Sequence, residues 1–158
     1  MPERLVLDTG PLITLARIGC LGIVGKLPYE FLCPEEVRRE LDEGEVAGYP
    51  RVAPGWLAVR RLSSPLPAAA VIALDEGEAA VIQLALELKT GIAVIDEWKG
   101  RRAALAAGLE VTGSLGLLGQ AKLRGLVPAI RPLTERAVAE GIRYHPDLVR
   151  AILRAVGE

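Results

Sequence analysis

Four acidic residues stand where side chains could gather a divalent metal ion. Asp8 and Asp96 each close a short apolar run, and Glu40 and Glu78 fall on predicted helices. On those helices both glutamates share a face with apolar residues three and four positions along the chain. Carboxylates brought together in this way repel each other and resist burial unless a cation offsets their charge. The pattern therefore predicts a metal site built from Asp8, Glu40, Glu78 and Asp96.

The types of ligand indicate which metal such a site would take. All four candidates offer carboxylate oxygens, whereas the chain contains one His and two Cys. Oxygen ligands favour Mg²⁺ or Mn²⁺ over zinc. A metal of this kind lowers the pKa of a bound water and offsets the charge on a phosphate group, and two metals about 3.5–4 Å apart stabilise both the attacking and the leaving oxygen. The predicted chemistry is metal-assisted hydrolysis of phosphodiesters.

A short parallel sheet flanked by helices would bring these acids to one edge. Periodicity and chain-breaking residues predict strands at 4–8, 31–33, 57–59, 92–96 and 110–112, and helices at 12–18, 34–41, 75–89, 97–107 and 114–124. This alternation predicts parallel pairing in a three-layer α/β/α fold. In such sheets ligands bind outside the carboxyl ends of the strands, which is where Asp8 and Asp96 are expected. After Pro128 the chain is predicted to be wholly helical.

Each acid also has a purely structural interpretation. Asp8 and Asp96 alternatively cap the helices that follow them, and Glu40 is alternatively a solvated helix residue. The segment Asp75-Glu76-Gly77-Glu78 matches a capping box, in which Glu78 reaches back to the start of its helix. Because all four acids are expected at one edge of the sheet, the metal site is favoured over four separate structural roles.

Length and composition limit the remaining possibilities. A chain of 158 residues predicts one domain over 1–158, with a core at about 4–125 and a helical part at 128–158. The net charge of −1 gives no strong electrostatic indication of nucleic acid, although an acidic pocket inside a basic rim also sums to about zero. No apolar stretch approaches the ~20 residues of a membrane span, and no signal peptide is evident. Cys20 and Cys33 are predicted to be reduced thiols in the core of a cytoplasmic protein.

Five short blocks of the sequence resemble the PIN-domain nucleases and follow that family's order. The blocks lie at 5–13 (LVLDTGPLI), 37–41 (VRREL), 75–82 (DEGEAAVI), 94–97 (VIDE) and 113–116 (GSLG). They are similar in particular to a bacterial and archaeal PIN-like group related to VapC-type toxins. The resemblance implies a Mg²⁺- or Mn²⁺-dependent endoribonuclease whose catalytic and metal-binding acids are Asp8, Glu40, Glu78 and Asp96. Related proteins often have two aspartates where this chain has Asp96-Glu97, which makes Glu97 a possible outer ligand.

Further residues are candidates for contacts with the substrate. Thr9, Thr112 and Ser114 offer hydroxyl groups for a water or a phosphate, and Ser114 is also predicted to cap its helix. A basic rim for RNA phosphates is predicted from Lys99, Arg101, Arg102, Lys122 and Arg124. Trp56 and Trp98 are interpreted as packing groups, with base stacking at Trp98 as the alternative. His145 is predicted to lie at the surface or to cap a helix.

Other functional classes fit the sequence less well than a nuclease. A non-catalytic PIN-fold module that binds RNA or protein is the main alternative, although a complete set of acids favours catalysis. Asp8-Thr9-Gly10 also occurs in aspartic proteases, which need two such triplets on an all-β framework. A phospho-acceptor receiver domain needs paired early aspartates, which this chain lacks. The expected partners are RNA, an antitoxin protein if the chain is a toxin, and a second copy in a homodimer, with no membrane.

Overall fold

Parallel strands form the centre of the structure, a computed structural model that describes residues 2–89 and 91–158. Within these residues the strands are β1 (Glu3–Leu7), β2 (Tyr29–Pro34), β3 (Leu57–Arg60), β4 (Ile92–Val94) and β5 (Glu110–Thr112). They form one sheet in the order β3-β2-β1-β4-β5. Every neighbouring pair is parallel. This arrangement confirms the predicted parallel sheet and places β1 at its centre.

Helices flank the sheet, as predicted for an α/β/α fold. They are α1 (Thr9–Arg17), α2 (Leu21–Val24), α3 (Glu35–Val46), α4 (Ala68–Ala73), α5 (Glu76–Leu88), α6 (Trp98–Ala106), α7 (Ser114–Leu123), α8 (Arg131–Ala139) and α9 (Pro146–Ala155). The two helices after residue 128 were predicted, and each has a proline in its first turn. The prediction that this part is wholly helical was wrong, because residues 140–145 form a turn and loop in which Gly141 has a φ of 89°. Among the described residues, no helix combines the length and apolarity that crossing a bilayer requires.

The core consists mainly of aliphatic side chains from the strands and from the helices packed against them. Leu7 of β1 and Val94 of β4 are completely buried, and Leu84 of α5 is 1% exposed. Burying one such side chain stabilises the fold by about 1.5–3 kcal/mol. Cys20 and Cys33 are buried and free, as predicted. The strands are therefore fixed by packing along their length, and their carboxyl ends are held at one edge.

α1 begins at Thr9, three residues earlier than predicted, because Pro11 is tolerated in the first turn of a helix, where its missing N–H is not needed. Three further helical segments differ from the sequence prediction. α3 continues to Val46 instead of ending at Leu41, because Asp42 pairs with Arg38 one turn back, Glu43 and Glu45 are good helix formers, and Gly44 costs only about 1 kcal/mol. α2 was not predicted because it is a single turn rich in glycine and aliphatic residues. α4 was not predicted because it follows two prolines, of which Pro67 is its N-cap. None of the three changes the order of the strands.

Candidate metal centre

Asp8 and Asp96 lie at the same edge of the sheet because their strands are neighbours. The backbone N–H of Asp8 donates to the carbonyl oxygen of Val94 at 3.0 Å, and Ile95 donates to Thr112 at 2.9 Å. These bonds continue the pairing by one residue beyond the end of each strand. The Asp8 side chain is almost wholly buried, at 7% exposed, whereas Asp96 is partly exposed. Both residues therefore lie at the sheet edge predicted for them.

A cavity of about 320 Å³ lies at this edge and is lined by carboxylates from separate elements. The acids in its lining are Asp8, Glu40, Asp75, Asp96 and Glu97. Thr9 and Thr14 of α1 line it as well, and the loop between α8 and α9 contributes Ile142, Arg143 and Tyr144. The structure thus gathers three of the four predicted acids around one space.

Glu40 reaches the cavity from α3 and is held in place by α1 and α5. The hydroxyl of Thr9 donates to Oε2 of Glu40 at 2.6 Å. The backbone N–H of Gly77 also donates to this carboxylate. A Cβ atom at Gly77 would collide with the Glu40 carboxylate. The glycine therefore allows the start of α5 to approach the acid closely.

Glu78, the fourth predicted acid, does not line the cavity and is buried, with 3% of its surface exposed. The predicted capping box is present: the Asp75 N–H donates to Oε1 of Glu78 at 3.4 Å, and the Glu78 N–H donates to Oδ1 of Asp75 at 2.7 Å. The other oxygen, Oε2, is buried and has no hydrogen-bond partner among the described residues. Capping therefore occupies only one of the two carboxylate oxygens of Glu78.

The unpartnered oxygen of Glu78 suits a cation. Carboxylate oxygens of Asp75, Glu78 and Glu97 lie within 4.8 Å of one another. A buried acceptor without a donor costs about 1–3 kcal/mol, and more when it is charged. A divalent ion would satisfy that oxygen and offset the repulsion among the three acids. The donor set, which is entirely oxygen, fits Mg²⁺ or Mn²⁺.

Asp96 is fixed by the start of α7. The Ser114 backbone N–H donates to Oδ1 of Asp96 at 2.8 Å, and the Ser114 hydroxyl donates to Oδ2, also at 2.8 Å. The same hydroxyl forms a 2.5 Å hydrogen bond with the Tyr144 hydroxyl. The prediction that Ser114 caps its helix was wrong, because the N-cap is Gly113 and the Ser114 side chain is used by Asp96.

Burial raises the pKa values of the gathered acids. It raises the pKa of Asp8 to about 8, and the negative charges of Asp75, Glu78 and Glu40 raise it further. Burial is also the largest cause of the pKa of about 7 at Glu78, where Asp75 adds to the effect. Burial raises the pKa values of Glu40 and Asp96 as well. Without a cation, these sites therefore retain protons that free carboxylic acids would lose.

A groove of about 890 Å³ adjoins the acid cavity and receives some of the predicted substrate-binding residues. We call it the side groove; it lies between the start of α6, the β5–α7 junction and α9, and its lining includes Trp98, Arg101, Thr112 and His145. One guanidinium nitrogen of Arg101 donates to the Ile95 carbonyl at 2.8 Å. His145 is the N-cap of α9, which confirms the predicted capping role.

The rest of the predicted basic rim lies elsewhere. Lys99 and Arg102 are exposed on α6 and line neither the cavity nor the side groove. Lys122 pairs with Glu158 at 3.4 Å, and the Arg124 guanidinium lies 5.6 Å from the centre of the Tyr29 ring. These last two belong to the end of α7 that is remote from Asp96, so they do not contribute to a rim around the acids.

Sequence reasoning missed three residues of the site. Asp75 was interpreted only as a helix cap, although its place one turn before Glu78 puts both acids at the same helix start. No nearby sequence pattern marks Arg143 and Tyr144, because both reach the cavity from the loop between α8 and α9. Tyr144 lies 30 residues beyond Ser114, to which it is hydrogen-bonded. Only the tertiary packing of the C-terminal helices reveals them.

Replacing Gly100 by alanine is expected to weaken metal binding by about 10- to 100-fold, the effect of disturbing groups that orient a ligand. A Cβ atom at Gly100 would lie 2.5 Å from Oε2 of Glu78 and 2.9 Å from Cγ2 of Ile95. Gly44→Ala is the matched control within α3, since a Cβ there makes ordinary contacts at 4.0 Å with Tyr49. Titration of each variant with Mn²⁺ by calorimetry measures the effect, and equal affinities would show that Glu78 is not a ligand.

Comparison with known proteins identifies the family of the chain. No curated protein and no solved structure gave a significant match. A family model described as a PIN domain matches residues 4–158 and so spans both the sheet and the C-terminal helices. PIN domains have a nuclease-type fold and usually use a divalent metal. The chain therefore belongs to the PIN-domain family.

Proposed function

We propose that this protein is a Mg²⁺- or Mn²⁺-dependent endoribonuclease that hydrolyses RNA phosphodiester bonds. The observation that carries the proposal is the buried, unpartnered Oε2 of Glu78, beside carboxylates that line a cavity at the sheet edge. An isolated capping residue would not need a second buried and unsatisfied oxygen. Ligand sites at the carboxyl ends of parallel strands are the usual arrangement in α/β folds.

In this proposal Asp8, Glu40, Glu78 and Asp96 hold the metal, with Glu97 and Asp75 as additional oxygen donors. Other groups of the chain keep these ligands in position before the metal arrives. The Thr9 hydroxyl orients Glu40, and both donors of Ser114 orient Asp96. Such outer hydrogen bonds fix ligand orientation and so strengthen metal binding.

The chemistry requires an activated water and a neutralised phosphate. When bound, the divalent cation lowers the pKa of a coordinated water and offsets the negative charge of the phosphodiester. The chain itself supplies positive charge at the cavity through Arg143, which forms no hydrogen bond or ion pair with another described residue. An unpaired guanidinium in this place is suited to holding an RNA phosphate in a bidentate contact.

An end-labelled single-stranded RNA tests the proposal. Cleavage is expected with Mg²⁺ or Mn²⁺ and not with EDTA. Because water is the proposed nucleophile, the products should carry a phosphate monoester on one side of the cut and a free hydroxyl on the other. A 2′,3′-cyclic phosphate would show attack by the ribose hydroxyl instead, and cleavage that persists in EDTA would exclude the metal mechanism.

The more specific biological roles stay predictions from the family resemblance. They are a toxin within a toxin–antitoxin pair, an antitoxin partner, a homodimer and a cytoplasmic location. One domain over residues 1–158 is part of the same proposal and is supported by the family match over residues 4–158. Binding of RNA without cleavage at any metal concentration would favour the non-catalytic module over the nuclease.

A further inference from the structure

The side groove continues directly from the acid cavity. Asp96, Glu97, Arg143 and Tyr144 line both spaces. A chain whose phosphate lies at the acids can therefore extend into the groove without leaving the surface. Its volume of about 890 Å³ is within the usual range of about 300–1,000 Å³ for small-ligand pockets and so is large enough for a nucleotide.

Trp98 offers the side groove an exposed aromatic surface. It is the first residue of α6 and is 68% exposed, in contrast to Trp56, which packs against Phe31 with ring centres 4.8 Å apart. The prediction that Trp98 is a packing group was therefore wrong. An aromatic ring this exposed, two residues from Asp96, is placed to stack on a base next to the bound phosphate.

The charge of the side groove suits a polyanion. Its only acids among the described residues are Asp96 and Glu97, which it shares with the metal centre. The part not shared contains Arg101 and His145, together with apolar residues from β5, α7 and α9. Phosphates are thus favoured by the Arg101 guanidinium, while the apolar surface and Trp98 suit bases. This combination of backbone charge and aromatic stacking is typical of sites for single strands.

We propose that the side groove binds a nucleotide that adjoins the scissile phosphate, with its unpaired base stacked on Trp98. This inference rests on the proposed function for the position of the scissile phosphate. Paired bases are already stacked inside a duplex, and side chains cannot enter the deep, narrow major groove of A-form RNA. A duplex therefore cannot present a base to Trp98.

Binding is measured separately from cleavage by titrating full-length Asp8→Asn protein with an unstructured RNA oligonucleotide while following tryptophan fluorescence. The single strand is expected to quench the fluorescence of Trp98. The quenching should be absent from the double variant that also carries Trp98→Phe, in which Trp56 is the remaining tryptophan. Trp98→Ala should weaken binding between about 5-fold and 150-fold, the range for loss of one base–aromatic stack. Trp98→Phe retains a ring and should bind nearly as well as the parent.

Matched variants separate the side groove from the general surface. Leu105→Ala removes another exposed apolar side chain of α6, and Arg154→Ala removes an exposed cation of α9; neither residue lines the groove. Both should bind RNA like the parent. Arg143→Ala should weaken binding and reduce the slope of log affinity against log salt by about 1.

The possible outcomes distinguish this inference from the proposed function. Equal affinity for duplex and single-stranded RNA, or unchanged binding in Trp98→Ala, would overturn the groove proposal even if the wild-type protein cleaves RNA. Trp98-dependent binding of single strands by a protein that cleaves nothing would support the groove proposal and overturn the nuclease.

Discussion

Replacing Asp8 by asparagine is expected to lower the rate of RNA hydrolysis by at least about 100-fold, because a lost ligand removes several kcal/mol of metal-derived stabilisation. Asp8 is buried at the end of the central strand, and its backbone N–H is fixed to Val94. Asparagine preserves the shape of the side chain and removes its negative charge. The measurement is the single-turnover rate of cleavage at saturating Mn²⁺.

Asp42→Asn is the matched control for this substitution. It makes the same chemical change on α3, at a side chain that is 61% exposed and pairs with Arg38. Its cleavage rate should equal that of the wild type. Full activity in an Asp8→Asn preparation of the same purity, with cleavage that co-elutes with the protein, would rule out Asp8 as a metal ligand.

The second large effect is a dependence of stability on pH in the metal-free protein. The pKa of Asp8 is about 8 and that of Glu78 about 7 in the folded state, both above the ordinary values. A carboxyl with a raised folded-state pKa contributes most to stability below its unfolded pKa, and the contribution is lost as the pH rises through the folded value. In EDTA the free energy of unfolding is therefore expected to fall between about pH 4 and pH 8, by up to about 1.4 kcal/mol per pH unit for each retained proton.

Urea unfolding in EDTA at a series of pH values measures this slope. Asp8→Asn should flatten it and should be more stable than the wild type near pH 8, since it has no charge to bury. Excess Mn²⁺ should remove the slope and add about 2.7 kcal/mol at a hundredfold excess over the dissociation constant, if only the folded state binds the ion. A wild type whose stability is constant from pH 5 to pH 8 would contradict the burial of these acids.

The strand pattern made Asp8 and Asp96 predictable from the sequence. Each follows an apolar run that packs into the core, so the direction of the chain sets the edge at which the carboxylate lies. The capping box at Asp75 and Glu78 was also predictable from the sequence, because its spacing follows from the geometry of one helical turn. The sequence did not reveal that the two interpretations of Glu78 are compatible. One oxygen serves the cap, and the other is left buried without a donor.

The parts of the site that depend on distant packing could not be predicted. Ser114 has the spacing of a helix cap, but its hydroxyl bonds to Asp96 and Tyr144, because α7 starts beside the end of β4. Tyr144 lies beside that hydroxyl in the loop before α9, which packs against α7. Trp98 is a large apolar residue, which favours burial, and no pattern in the neighbouring sequence shows that its side chain stays exposed to solvent on α6.

Calorimetric titration of the metal-free protein with Mn²⁺ at pH 7, in two buffers of different ionisation enthalpy, tests the metal site most directly. Metal ligands must lose their protons on binding. With the pKa of Asp8 at about 8 and that of Glu78 at about 7, saturable binding is expected to release about one proton or more per chain. Asp8→Asn should release fewer protons and bind more weakly. The absence of saturable binding, or binding without proton release, would contradict a metal centre formed by these acids.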